Sequence, residues 1–465
     1  MKDLSFFLFF FITINSLAQK LPVLQSNSQN LDIRDGSNFR KGRWNIDPKT
    51  NPDIYESFIS KKYKWVSFIS DIDSIRFKVK AGKNYPFIVL LNKRDTAYTQ
   101  INGIKEIPIV QFNKQYRTSH DGKSFVEIPP VYELFNIAVA LTNTAKKDDG
   151  LIIKHTQYYQ DLLTWFDKYK EEPLIKKLDL VLASNLMGFV SIKMDAYAFD
   201  LSADGKIEQS EIYNRISGGR VNTLKPYLTE LQSFANKSKF QEFYKKNIQF
   251  YTSQIEIYKN VIGLQEMQRW LALNFPTTKY HSFKIIFSPL VGNIQSAIWF
   301  ENKGFKEAQA HVNFPYRNSN EEKEFSSQAL NIKEGNIVFT ELNHSFINPE
   351  AEKPQYQKPL ANAFADLTTW NEKGKPAAMY YNNSYSSFNE YLNWGLVSLR
   401  YVDYAPAAEQ DKLIANIEKR QMEIRGFKKF GPFNQYLIKI YKNRTQEQTI
   451  ADLYPSIIKW FEENK

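Results

Sequence analysis

The sequence predicts an α+β protein in two parts, a small β-sandwich or barrel followed by a mainly helical body. Three observations carry that prediction. Runs of alternating apolar and polar residues fill the early part of the chain. The polar, glycine-bearing stretch QYRTSHDGK at 115–123 then interrupts them. Beyond it, apolar residues recur at helical spacing almost to the C-terminus.

At the start, Lys2 precedes the apolar run 6–14, and Ser16 and Ala18 stand at the −3 and −1 positions before Gln19. Residues 1–18 therefore read as a cleavable secretory signal, with export to the periplasm or the medium. Residues 19–53 are polar and read as an irregular lead-in. From Tyr55, strand-type runs at 65–69, 74–79, 87–91 and 107–112 alternate with turn formers at 81–84 and at Asn102-Gly103, so residues 19–115 form the expected β domain. Asp95-Thr96-Ala97 looks like the D-T-G of aspartic peptidases, but it lacks the glycine and a second copy, and a turn at a strand edge explains it as well.

The body is expected over 124–465. Residues 132–141 are apolar nearly all round, which predicts a buried helix whose Glu133 needs a partner. Further helices are expected at 156–170, 174–186, 224–237, 239–258 and 260–273, then a β-hairpin pairing 283–287 with 295–300. Helices at 361–370, 388–401, 409–425 and 434–440 follow, and 449–464 ends the chain, broken at Pro455.

Composition narrows the function. With 465 residues, 43% hydrophobic and 15% aromatic, the chain can build cores for two domains. The net charge is +11, but lysines alternate with acids, as in Lys146-Lys147-Asp148-Asp149, and the expectation is a solvated surface and no nucleic-acid partner. No apolar run is long enough to span a bilayer. The chain has no cysteine, which excludes disulfides, thiol catalysis, thiolate-held zinc and a lipid anchor on cysteine. Any metal would be held by histidine and carboxylate.

The most informative stretch is Thr340-Glu341-Leu342-Asn343-His344-Ser345-Phe346-Ile347-Asn348-Pro349, expected as a short helix stopped at Asn348-Pro349. On a helix, positions 340 and 344 lie one above the other with 341 beside them, the geometry by which H-E-x-x-H holds zinc and a general base. Here Thr340 replaces the first histidine. A polar Glu341–His344 pair at the edge of a core fits the same spacing.

The segment resembles the H-E-x-x-H-S-F-x-N-P signature of a family of secreted bacterial proteins, a domain of unknown function with zincin-like character. The likeness extends to VEIPPVYELFNIAVALT (126–142), FANKSKFQEFYKKNIQFY (234–251) and SFNEYLNWGLVSLRY (387–401). It implies a gluzincin-type arrangement, with a peptide or protein as substrate if active. The metal ligands would be His344 and Glu390, with Glu341 either acting as base or moving in as a ligand. If a metal binds, His281 or His311 would supply a further ligand and Tyr401 and Arg400 would polarise a carbonyl opposite it; the alternatives are a strand-edge residue for His281, a loop residue for His311, helix-end packing for Tyr401 and a surface cation for Arg400. Analogy also makes the 283–300 hairpin the strand along which a substrate lies. Ser387-x-x-Glu390 also fits a capping box, which would turn Glu390 back on its own helix. A non-catalytic binding or scaffold protein is the alternative to a peptidase with a degenerate zinc motif.

One more pattern stands apart. Residues 200–211, from Asp200 through Asp204-Gly205 to Glu211, fit the twelve-residue calcium loop of an EF-hand, and Asp204-Gly205 is equally a hairpin signal.

Overall fold

The computed structural model describes residues 21–50, 52–317 and 320–465. The expected signal at 1–18 and the start at Gln19 lie outside the described residues. As the sequence predicts, the fold is α+β, a β-rich region followed by a mainly helical one. The chain divides into two compact units, Met1–Pro108 and Ile109–Lys465.

The first unit is a sandwich of two four-stranded sheets. One has the order β1-β7-β8-β4 (Val23–Ser26, Asn84–Leu91, Asp95–Lys105, Asp53–Ile59). The other runs β3-β2-β5-β6 (Asn38–Asn45, Asn30–Asp35, Lys64–Ile69, Ser74–Val79). Inward residues from both meet in one core, where Phe68 lies 5.1 Å from Phe87 and 5.4 Å from Tyr55. The lead-in is more ordered than expected, since β1, β2 and β3 lie within it. Leu24 on β1 and Leu31 and Ile33 on β2 turn into the core from the two sheets, alternating with more exposed residues on each strand. Asp95-Thr96-Ala97 simply opens β8. Asn102-Gly103 is no turn: it lies within β8, where a Cβ on Gly103 would sit 2.0 Å from the Lys80 carbonyl oxygen.

The expected boundary at 115–123 is instead part of the second unit. Its residues form the helix Lys114–His120 and lead into β9 (Lys123–Glu127). The expected strand 107–112 is a docking segment, held by Gln111 N–H to the Ile212 carbonyl (2.8 Å) and Phe112 N–H to Asn302 Oδ1 (3.1 Å). Tyr116 donates its hydroxyl to the buried Glu307 at 2.5 Å. A fragment 109–465 should therefore resist limited proteolysis. A fragment 125–465, which loses Phe112 and Tyr116 from the core, should be about 3–5 kcal/mol less stable by chemical denaturation. Equal stability would show that the docking segment contributes nothing.

The second unit packs helices around a mixed sheet of order β13-β14-β12-β9 (Ser296–Asn302, Phe305–Asn313, Ser282–Ser288, Lys123–Glu127). The expected hairpin between β12 and β13 does not form. β14 lies between them, parallel to β12 and antiparallel to β13, because Lys303-Gly304 makes the tight turn, both with positive φ. That leaves β13 at the sheet edge. Residues 200–211 form a hairpin of β10 (Phe199–Leu201) and β11 (Ile207–Gln209), in which Asp204 pairs with Lys206 at 2.6 Å. Strands, not helices, flank this loop, so it departs from the EF-hand expectation.

Four helix expectations change. The helix expected at 239–258 is split at Asn247 into Phe240–Lys246 and Ile248–Asn260. Pro354–Ala363 replaces 361–370. Ile450–Glu463 runs through Pro455 unbroken. The helix carrying Glu341 spans Asn336–Ala351 and passes through Pro349. Pro349 cannot donate to the Ser345 carbonyl one turn back, but the Tyr280 hydroxyl donates to it at 2.7 Å, so the missing bond is replaced.

Candidate functional site

Two helices build the site, Asn336–Ala351 and Ser384–Tyr404. They run antiparallel, tied by Asn336 Nδ2 donating to the Tyr401 hydroxyl at one end and Asn343 Nδ2 donating to Asn393 Oδ1 (3.1 Å) farther along. The first helix covers the sheet face that carries Phe283 and Ala308, where Phe346 stacks on Phe283 at 6.3 Å.

This pairing brings His344 to Glu390, with Nε2 3.6 Å from Oε2. His344 Nε2 lies 3.0 Å from Asn393 Nδ2, and Nδ1 lies 3.2 Å from Asn348 Oδ1. Glu390 is 3% exposed and does not cap its own helix, which begins at Ser384 with Asn383 as N-cap. Its Oε1 accepts from Arg425 at 2.6 Å and from Trp394 Nε1 at 2.9 Å, while its buried Oε2 has no hydrogen-bond partner. Burial pushes the Glu390 carboxyl up, but the charges of Arg425 and His344 and the hydrogen bonds outweigh it and hold the group below its ordinary value.

Glu341 stands beside them. Burial, opposed by His344, Lys193 and Arg425 and reinforced by Glu390, raises its carboxyl to about 7. Lys193, from the helix Leu186–Asp195, is 1% exposed and donates to the Ile294 carbonyl at 2.5 Å. Burial lowers its ammonium to about 7 against the pull of Glu341.

The other expected residues fall elsewhere. Thr340 is buried and turns its hydroxyl onto its own helix, donating to the Ile337 carbonyl at 2.8 Å. Tyr401 lies eleven positions past Glu390, about 16 Å along the helix axis, at Asn336. Arg400 is buried over Phe339 and donates to the Ile332 carbonyl at 2.9 Å, so neither it nor Tyr401 faces His344 and Glu390. His281 accepts the Lys306 N–H at 3.0 Å and stacks on Phe305. His311 lies on β14 with its ring on the sheet face away from Phe346, against Tyr132 and Gln309, and burial lowers it to about 3. Glu133 finds its partner in the Tyr158 hydroxyl at 2.5 Å. Among the described residues, no group of three or more His, Asp or Glu side chains is arranged to hold a metal ion.

Sequence reasoning missed Arg425, Lys193, Asn393 and Tyr381. Arg425 sits on a π-helical turn, Arg420–Arg425, and reaches both Glu390 and the Tyr381 hydroxyl (2.8 Å). No spacing rule relates residues 390 and 425; only the wide turn and the positive φ of Gly426 (82°) aim the guanidinium inward.

The fold and site define an α+β protein in which a Glu–His helix faces a carboxylate helix above a mixed sheet. The chain belongs to the family described as Domain of unknown function (DUF4932), whose family model matches residues 125–460. No curated protein and no solved structure matches the chain.

Proposed function

We propose that the second unit is a metal-free relative of the zincin-like metallopeptidases, an exported binding module for extended peptide segments. One observation carries this reading: the carboxylate in the position of the zinc-binding glutamate is ion-paired with Arg425. Zinc asks for three protein ligands and an open position. Thr340 offers no imidazole and its hydroxyl is engaged at Ile337, while Glu390 is neutralised by a guanidinium. The donor set does not fit zinc, and His344 and Glu390 alone are a poor site for it. The fixed cation at Arg425 takes over the charge balance of Glu390.

The peptide assignment rests on β13, which among the described residues pairs with β14 alone and has partly exposed residues over Ser296–Trp299. An extended chain adding to this edge would lie beside the Glu341 helix.

Elemental analysis and zinc titration of the purified, chelator-free protein test the reading. The expected result is no saturable zinc site, with a display-selected peptide slowing hydrogen exchange at the β13 amides. One zinc per chain would overturn the metal-free assignment.

A further inference from the structure

The positive charge of this chain is unevenly distributed. Residues 21–108 hold 15 Lys and Arg against 9 Asp and Glu, whereas residues 109–465 hold 44 against 40. More than half of the net +11 therefore belongs to the first unit, although it is much the shorter. The alternation that looked like an ordinary solvated surface holds for the body, not for the sandwich.

One sheet face sets three of these cations beside exposed aromatic rings. In β3-β2-β5-β6, Ile33, Val66, Phe68 and Val79 turn into the core and the alternate residues turn out. The strand register sets Phe39, Arg34, Ser67 and Arg76 in one row across all four strands, with Trp65 opposite Lys78 in the next row. Phe39, Trp65 and Tyr63 are 49%, 40% and 39% exposed. Each ring carries a cation. Arg34 lies 5.1 Å from the Phe39 ring centre, Arg76 lies 4.3 Å from that of Trp65, and the Lys78 ammonium lies 4.1 Å from that of Tyr63. Among the described residues, the first unit holds one side-chain ion pair, Lys64 to Asp35, and Asp35 turns to the other face beside Tyr55 and Ser57. Asp32, the acid on this face, accepts the Gly42 N–H at 2.6 Å.

From this arrangement we infer that the face docks on an anionic lipid surface. The cations lie against the ring faces, so Phe39, Trp65 and Tyr63 are not open platforms on which bases or sugar rings could stack. What they offer is ring edges and unneutralised charge on a four-stranded face. Half-exposed aromatic rings suit the headgroup level of a bilayer, and arginine and lysine beside them are attracted by anionic headgroups. The row spans three strand spacings, about 14 Å, so both arginines and the lysine can reach the same lipid surface together.

Co-sedimentation of the full chain with vesicles tests the inference. Vesicles of phosphatidylcholine mixed with phosphatidylglycerol should bind it, pure phosphatidylcholine vesicles should not, and added salt should weaken the binding. A variant carrying Arg34→Gln, Arg76→Gln and Lys78→Gln should bind about a hundredfold more weakly, with its thermal unfolding unchanged because all three side chains are exposed. Binding to neither vesicle, equal binding to both, or binding indifferent to the three substitutions would overturn the inference. So would capture by dextran sulfate or single-stranded DNA without vesicle binding, which would make the face a polyanion site.

Discussion

Glu390→Ala should destabilise the second unit by about 3–5 kcal/mol, a large loss for one side chain. The substitution leaves Arg425, only 15% exposed, facing Tyr381 and Gln421 without its counter-charge. It also leaves the Trp394 indole N–H without its acceptor. Glu390→Gln keeps the volume and an acceptor oxygen and should cost less, about 1–2 kcal/mol. The two variants also fix the sign of a pH effect. The carboxyl of Glu390 is held below its ordinary value in the folded state. Its contribution is therefore present above the unfolded carboxyl pKa, near 4.5, and is lost as pH falls through the lowered folded value. Denaturant unfolding should show the gap between parent and Glu390→Gln wide at neutral pH and closing in acid. A neutral Glu390→Ala, or a gap that widens in acid, would show that the Arg425 pair does not hold these helices together.

The parts of this molecule that were legible in the sequence are those governed by local periodicity. Alternation at 65–69 and 74–79 became β5 and β6, and the apolar surround of 132–141 became a buried helix, Pro130–Ala140. Residues 339–349 were legible as a helix but their end was not, because Pro349 is a stop signal only when nothing replaces its bond, and Tyr280 replaces it from far away in the chain. The β12–β13 hairpin failed for a related reason. Both strands were visible, but β14 carries buried Glu307, Gln309 and His311 among its apolar residues, and its partners on the outer face of the sheet cannot be read from sequence.

The candidate site divides the same way. Glu341, His344 and Glu390 were found because each lies on a helix with a recognisable pattern, and the antiparallel helix pair does bring His344 to Glu390. Tyr401 was misplaced because adjacency on that helix says nothing about distance along it. Arg425 and Lys193 were invisible because a buried basic side chain leaves no periodic trace; the role of Arg425 is set by the carboxylate it faces in the fold.

Zinc affinity should therefore respond to two positions together and to neither alone. Thr340→His puts an imidazole one turn from His344 on a helix of suitable pitch, but in a packed position that is 3% exposed, and should cost about 1–3 kcal/mol in stability. By itself it should leave zinc binding weak, because Arg425 still occupies Glu390. Arg425→Gln by itself frees the carboxylate but leaves one imidazole. The double substitution supplies two imidazoles and an unpaired carboxylate. Its zinc affinity should exceed that of either single variant by about a hundredfold or more, well short of the roughly 10–16 kcal/mol of complete structural zinc sites. Titration calorimetry with zinc, run on parent, both single variants and the double, reads the coupling directly as a cycle. Adding Glu390→Ala to the double should abolish the gain, which separates a site at this carboxylate from stray binding at the new histidine. If Thr340→His alone binds as tightly as the double, Arg425 is not what keeps the metal out, and the metal-free reading loses its main support. If the double gains nothing, the two helices do not hold these side chains in zincin geometry at all. That outcome would leave the peptide edge at β13 as the feature to pursue.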